Sequence, residues 1–193
     1  MKTAVIEGNR KDDGAVRAAW YFIADSALAN AGKPFFLPDF ADSFEAVLAP
    51  AIRISRLGKS VAAKFADRYF SEIIPAVHFR APALRRQLLE RNLPCDMALS
   101  FDRSMIMGQP LDYEAFRAFL PLRLVNNGET VAEWSLSDFS LSPEEALEAV
   151  SAANTVKTGD LIVPGLSKPV AVKQGDRLEL MLGETRQLLV AIK

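Results

Sequence analysis

The sequence predicts a β-rich α+β fold on three observations. A chain of 193 residues, 50% hydrophobic and 24% charged, can close a core without metal or disulfide staples, because at this size folding hides roughly 70% of the unfolded surface. From Leu122 onward, apolar runs alternate with Asn-Gly and Gly-Asp pairs, the punctuation of β-hairpins. Helix-start signals are few and local, the clearest being Pro82 and Ser142-Pro143-Glu144-Glu145.

Taken in order, Ala15 to Phe22 is an apolar run that fits a helix or a strand. Ala31-Gly32-Lys33-Pro34 and Pro38-Asp39 read as turns. The run Phe44 to Ile54 reads as one long strand, and Pro50, which lacks an N–H, puts an edge or a bulge within it. Leu57-Gly58-Lys59-Ser60 turns the chain, and Ser60 is expected to cap a helix from Val61 to about Phe70 with Val61, Phe65 and Tyr69 as its apolar stripe. Ile73 to Phe79 reads as a buried strand. Pro82 opens a helix to about Arg91, with Leu84 and Leu88 inward and Arg85, Arg86, Glu90 and Arg91 toward solvent.

Asn127-Gly128 predicts a type I′ hairpin between Leu122–Val125 and Thr130–Trp134. The capping box at Ser142 starts a third helix that turns Ala146, Leu147 and Val150 inward. Leu161-Ile162-Val163 is a short strand, and Arg177–Leu182 with Gln187–Ile192 form a terminal hairpin across Gly183-Glu184. With no repeat and no linker, residues 1–193 read as one domain with three short helices.

Net charge −1 leaves no cationic excess to displace counterions from phosphates, so no nucleic-acid partner is expected. Residues Met1 to Gly8 hold no long apolar stretch, and no run approaches the ~18 residues of a membrane span, so a cytoplasmic protein without membrane association is expected. Cys95 is the single cysteine and His78 the single histidine, which excludes an intrachain disulfide and a Cys/His zinc cluster.

Several stretches bear a closer likeness. These are the hairpin Leu124-Val125-Asn126-Asn127-Gly128-Glu129, the run Ser151 with Thr155 to Ile162 around Gly159-Asp160, and the closing Gln174-Gly175-Asp176-Arg177-Leu178-Glu179. Upstream stand Pro34 to Pro38 ahead of Phe44-Glu45-Ala46-Val47-Leu48, and Phe101-Asp102 with Gly108. In this order and spacing they resemble the fumarylacetoacetate hydrolase family, from about Phe22 to the C-terminus. The resemblance implies a β-sandwich roll of mixed sheets, usually a homodimer. It also implies Mg²⁺ or Mn²⁺ held by an E-x-E pair and a later Asp, with an enolate of a 2-oxo acid or β-diketo compound stabilised during C–C cleavage or isomerisation. A hard dication wants such oxygen ligands, and a strand presents E-x-E on one face because side chains alternate.

Carried over position by position, the resemblance places Glu45 at the first Glu and Val47 at the second. His78 stands at the Asp position, Pro82-Ala83 replace an Arg-Asp pair, and Leu99 stands where a site Lys belongs. Candidate cleft residues are therefore Glu45, His78, Leu99 and Asp102, and the only candidate metal ligands are Glu45 and His78. Two such ligands are too few for Mg²⁺, and Leu99 cannot polarise an oxyanion, a contribution of about 3–4 kcal/mol where present.

Each of these residues has a plainer reading: Glu45 as a paired strand carboxylate, His78 as a hydrogen-bonded core histidine, Asp102 as a turn residue, Cys95 as a half-buried packing residue. Arg80, Arg85, Arg86 and Arg91 read as a solvated basic face. Ser100 and Ser104 lack a base for nucleophilic catalysis.

The leading expectation is a member with altered metal positions that needs no cofactor and takes a small carboxylate-type molecule in the remaining cleft. The alternatives are an active hydrolase, isomerase or decarboxylase of 2-oxo acids or acylpyruvates, using Mg, Mn or a transition metal with Glu72 or Asp67 as an added ligand, and an inert dimer partner of an active paralogue.

Overall fold

The computed structural model describes the backbone of residues 1–12 and 15–193, and side chains outside residues 8–17. The chain begins with β1 (Thr3–Asp12), β2 (Ala15–Ile23), a 3-10 turn and β3 (Leu28–Asn30). The apolar run at Ala15 is thus a strand. Next come β4 (Phe44–Leu48) and β5 (Ala51–Arg53), a 3-10 helix over Ala63–Arg68, then β6 (Glu72–Ile74) and β7 (Ala76–Arg80). Helix α1 (Pro82–Glu90) is followed by β8 (Met105–Met107), β9 (Leu111–Asp112) and α2 (Tyr113–Ala118). The rest is β10 (Leu122–Asn126), β11 (Glu129–Trp134), α3 (Pro143–Ala153), β12 (Leu161–Val163), β13 (Val170–Val172), β14 (Arg177–Leu182) and β15 (Thr185–Ala191).

Among the described residues the strands form three sheets. A six-stranded sheet runs β2-β1-β12-β5-β6-β9, a five-stranded sheet β13-β4-β7-β8-β3, and a four-stranded sheet β11-β10-β14-β15. The first two are mixed, with β1 parallel to β12 and β3 parallel to β8. This is the β-rich α+β architecture the sequence predicts.

Two prolines correct the strand reading. The run Phe44–Ile54 is two strands in two sheets: β4 belongs to the five-stranded sheet and β5 to the six-stranded one, with Ala49-Pro50 at the crossing. The partner run splits in the same way at Pro75, giving β6 and β7. A proline cannot continue the hydrogen-bond ladder, so each run leaves one sheet where its proline stands, and Ala49 N bonds Ala76 O across the paired crossings at 2.9 Å.

The helix expected from Ser60 is the second correction. Ser60 takes a positive φ of 51° and caps nothing. The segment is a short 3-10 helix that buries Ala66, while Phe65 stays 43% exposed. An unpredicted helix, α2, starts where the Asp112 carboxylate accepts from Ala115 N at 2.9 Å.

Local turn chemistry holds elsewhere. Asn127 and Gly128 have φ of 51° and 93°, the pair of positive angles a type I′ turn requires. Ser142 and Glu145 form the reciprocal capping box of α3, which buries Ala146, Leu147 and Val150. Gly165 is required by close approach, since a Cβ there would lie 2.2 Å from Asp138 O.

The larger core includes Phe35, Phe79, Trp134, Leu147 and Val190; a smaller one includes Val5, Ile23, Ala76, Met105 and Val163. Among the described residues no helix is long and apolar enough to cross a membrane.

Candidate functional site

The site grows from the pairing of β4 with β7. Glu45 lies opposite Arg80 and Val47 opposite His78. Side chains alternate along a strand, so Ala46, Leu48, Val77 and Phe79 enter the larger core, while Glu45, Val47, His78 and Arg80 share the other face. Glu7 and Tyr21 reach this face from β1 and β2. The β1–β2 register slips between Ile6 and Gly8, so Glu7 is the extra residue of a bulge, a device that re-aims a side chain. Arg85, on the first turns of α1, closes the group.

Hydrogen bonds join Glu45, Arg80, Glu7 and Arg85 in one chain, and a second group joins Tyr21 to His78. The Arg80 guanidinium donates to the Glu7 carboxylate at 2.8 Å and, through its other terminal nitrogen, to Glu45. Arg85 grips both oxygens of Glu7, one of them at 2.7 Å. Such two-pronged guanidinium–carboxylate pairs are among the strongest polar contacts in proteins. Two carboxylates thus face two guanidiniums.

His78 is wholly buried. Its Nδ1 lies 3.0 Å from Ser104 O. A carbonyl only accepts, so Nδ1 carries the proton, and Nε2 accepts from the Tyr21 hydroxyl at 3.0 Å. Burial lowers the imidazole pKa to about 3; the Ser104 carbonyl opposes the shift and the Arg80 charge adds to it. His78 is therefore neutral. Burial also drives the Tyr21 pKa well above its ordinary value, with Glu7 adding and Arg80 and Arg85 opposing, which keeps Tyr21 a donor.

The sequence-predicted residues meet only in part. Glu45 and His78 share one face of β4 and β7, Glu45 bonded to Arg80 and His78 to Tyr21. Leu99 is buried just after the 3-10 turn Asp96–Ala98, and its neighbour Ser100 accepts from Ala24 N at 2.9 Å. Asp102 sits exposed in a turn, outside the bonded group. Glu72 pairs with Arg53 on the surface and Asp67 is exposed, so neither adds a ligand to Glu45. The solvated basic face is corrected at two residues: Arg80 is on a strand with its side chain only 10% exposed, and Arg85 turns toward Glu7. Sequence reasoning missed Glu7, Tyr21 and the placement of Arg80, because a bulge and a cross-strand register leave no local signature.

These donors do not suit a hard dication. Val47 has no lone pair, both His78 nitrogens are engaged, and the Glu45 carboxylate already faces a guanidinium. Among the described residues no three His, Cys, Asp or Glu side chains gather closely enough to hold a metal.

Beside the group lies a cleft of about 310 Å³ lined by Glu45, Arg80, Pro82, Arg85, Arg86, Leu89 and Glu90. Arg86 is exposed and has no ion pair among the described residues.

The comparisons agree with this architecture. The chain is 26% identical over 161 residues to the mitochondrial oxaloacetate tautomerase FAHD1 of Rattus norvegicus, covering 80% of this chain and 71% of that protein. The fumarylpyruvate hydrolase of Pseudomonas aeruginosa, solved with Mn²⁺ and pyruvate, matches with a TM-score of 0.83 at 16% identity over 100% of this chain and 89% of that one. The 5-carboxymethyl-2-hydroxymuconate delta-isomerase of Mycobacterium smegmatis matches with a TM-score of 0.83 at 20% identity over 99% and 78%. At such identities these structures establish the fold. The family model of the fumarylacetoacetate hydrolase C-terminal region matches residues 5–190, and the chain belongs to that family.

Proposed function

We propose that this protein keeps the family scaffold without its divalent-metal chemistry, and that the cleft beside Glu45 takes a small carboxylate. The observation that carries this reading is the ligand set: Val47 is apolar, His78 has both nitrogens occupied, and Glu45 is paired with Arg80. Arg86, on the cleft wall, is the cation placed to receive an anionic ligand, since a guanidinium matches a carboxylate two-pronged.

Calorimetric titration with Mg²⁺ and Mn²⁺ tests the first part; no stoichiometric binding is expected, and tight binding refutes it. Titration with pyruvate and other 2-oxo acids in EDTA tests the second. Binding is expected to survive the chelator and to weaken about tenfold or more in Arg86→Ala, the scale of one lost charge-assisted contact.

A second reading is an active metal-dependent enzyme on 2-oxo acids. The likeness to a protein named oxaloacetate tautomerase favours it. Metal-stimulated turnover of oxaloacetate or acylpyruvates, abolished by Glu45→Gln, would establish it. A homodimer belongs to either reading and is checked by sedimentation.

A further inference from the structure

We propose that Arg80 is the resident cation of this site, occupying the electrostatic role of a divalent ion and keeping metals away from Glu7 and Glu45. This rests on the metal-free reading above and names the residue responsible for it.

Three observations carry the assignment. Arg80 stands opposite Glu45 in the β4–β7 register, on the face shared with Val47 and His78, so its guanidinium projects to the place where a cation would have to balance Glu45. Its donors then reach two separate elements: Glu45 on β4 and Glu7 at the bulge of β1. Finally, the cluster is closed in charge. Glu7 and Glu45 balance Arg80 and Arg85, while His78 and Tyr21 are tied to each other as neutral groups.

Two carboxylates bonded to one guanidinium require a positive charge between them, because like charges at close range disfavour ionisation of both. A dication entering the site would have to displace a guanidinium bonded to two carboxylates and then sit near Arg85, which also holds Glu7. The guanidinium is permanently charged, so the site has its cation at any concentration of metal or chelator.

The test uses Mn²⁺, followed by its free electron-spin resonance signal and by thermal denaturation with and without EDTA. The proteins are the wild type, Arg80→Met, and Arg80→Met combined with Glu45→Gln. The wild type is expected to show no Mn²⁺ response. Arg80→Met is expected to melt at a lower temperature, to recover part of that loss in Mn²⁺, and to bind Mn²⁺ at least tenfold more tightly than the wild type. The double variant, which keeps the Glu7–Arg85 pair and is neutral overall, is expected to melt above Arg80→Met and to ignore Mn²⁺.

An Arg80→Met protein that folds and ignores Mn²⁺, beside an equally silent wild type, overturns the role of Arg80 and leaves the metal-free reading intact. Stoichiometric Mn²⁺ binding by the wild type overturns both. If Arg80→Met does not fold, the double variant decides: recovery of the folded state supports the assignment, and failure to recover overturns it.

Discussion

His78 carries no charge in the folded protein, and that has a measurable cost in acid. An unfolded histidine takes its proton near about pH 6.5, whereas folded His78 does so only at about 3. Between those values the unfolded chain binds more protons, so stability is present in full above about pH 6.5 and declines as the pH falls toward 3. Each tenfold difference in proton affinity between the two states is about 1.4 kcal/mol. Denaturant melts between pH 7 and 4 should show the decline, and His78→Gln, which cannot titrate, should flatten it. A wild-type curve as flat as the variant's would mean that His78 is not the buried neutral group described above. Removing one member of the ion-pair chain acts at the same scale. Glu7→Gln leaves Arg85 and one side of Arg80 unpaired, and is expected to cost about 3–5 kcal/mol in urea unfolding if the cluster behaves as a buried ion network. The sequence reveals this site unevenly. Glu45 and His78 are legible because each occupies a fixed place in a local motif. Arg80 is not, because its identity as a site residue depends on lying opposite Glu45 on another strand, and Arg85 reads as solvent-facing until Glu7 is known to reach it.

At the scale of elements, the parts that the sequence foretells are those whose causes are local. Gly128 has a φ of 93° with open space around a would-be Cβ, so Gly128→Ala should cost only the backbone penalty, about 1–2 kcal/mol. Gly58→Ala is a different case, because a Cβ there would meet the Tyr69 ring at 2.6 Å, and the loss should be larger as the ring is forced aside. Equilibrium unfolding of the two variants separates conformational strain from steric strain. The capping box of α3 is equally local, with Ser142 Oγ accepting from Glu145 N and Glu145 accepting from Ser142 N. The failures share the opposite property. Ser60 precedes an apolar stripe, but its own positive φ and the bond from its N–H to Ser151 O, a residue of α3, turn the segment away from an α-helix. Pro50 and Pro75 are visible as ladder breaks, yet that each marks a passage between sheets depends on where the neighbouring strands pair. The bulge at Glu7 is of the same kind, a consequence of the β1–β2 register.

Across the whole molecule, what matters is how the three sheets are tied. The six-stranded and five-stranded sheets share the crossings at Pro50 and Pro75 and the polar bonds from Glu7 to Arg80 and from Tyr21 to His78. The four-stranded sheet is joined through Phe35. Its ring stacks on Phe79 of β7 at 4.0 Å between centroids, and its backbone bridges Ile192, just past β15. Phe35 is 1% exposed, so Phe35→Ala should cost about 3–5 kcal/mol through lost burial and the cavity left behind. The manner of the loss is the more informative measurement. With Trp20 on β2 replaced by Phe, Trp134, at the end of β11 in the four-stranded sheet, reports on that sheet by fluorescence, while far-ultraviolet circular dichroism reports on all strands. If residues 1–193 fold as one cooperative unit, the two signals should coincide in Trp20→Phe and in Trp20→Phe with Phe35→Ala, the latter pair shifted to lower denaturant together. A Trp134 transition that precedes the circular dichroism change would show that the four-stranded sheet can open by itself, and the expectation of a single folding unit would then be wrong.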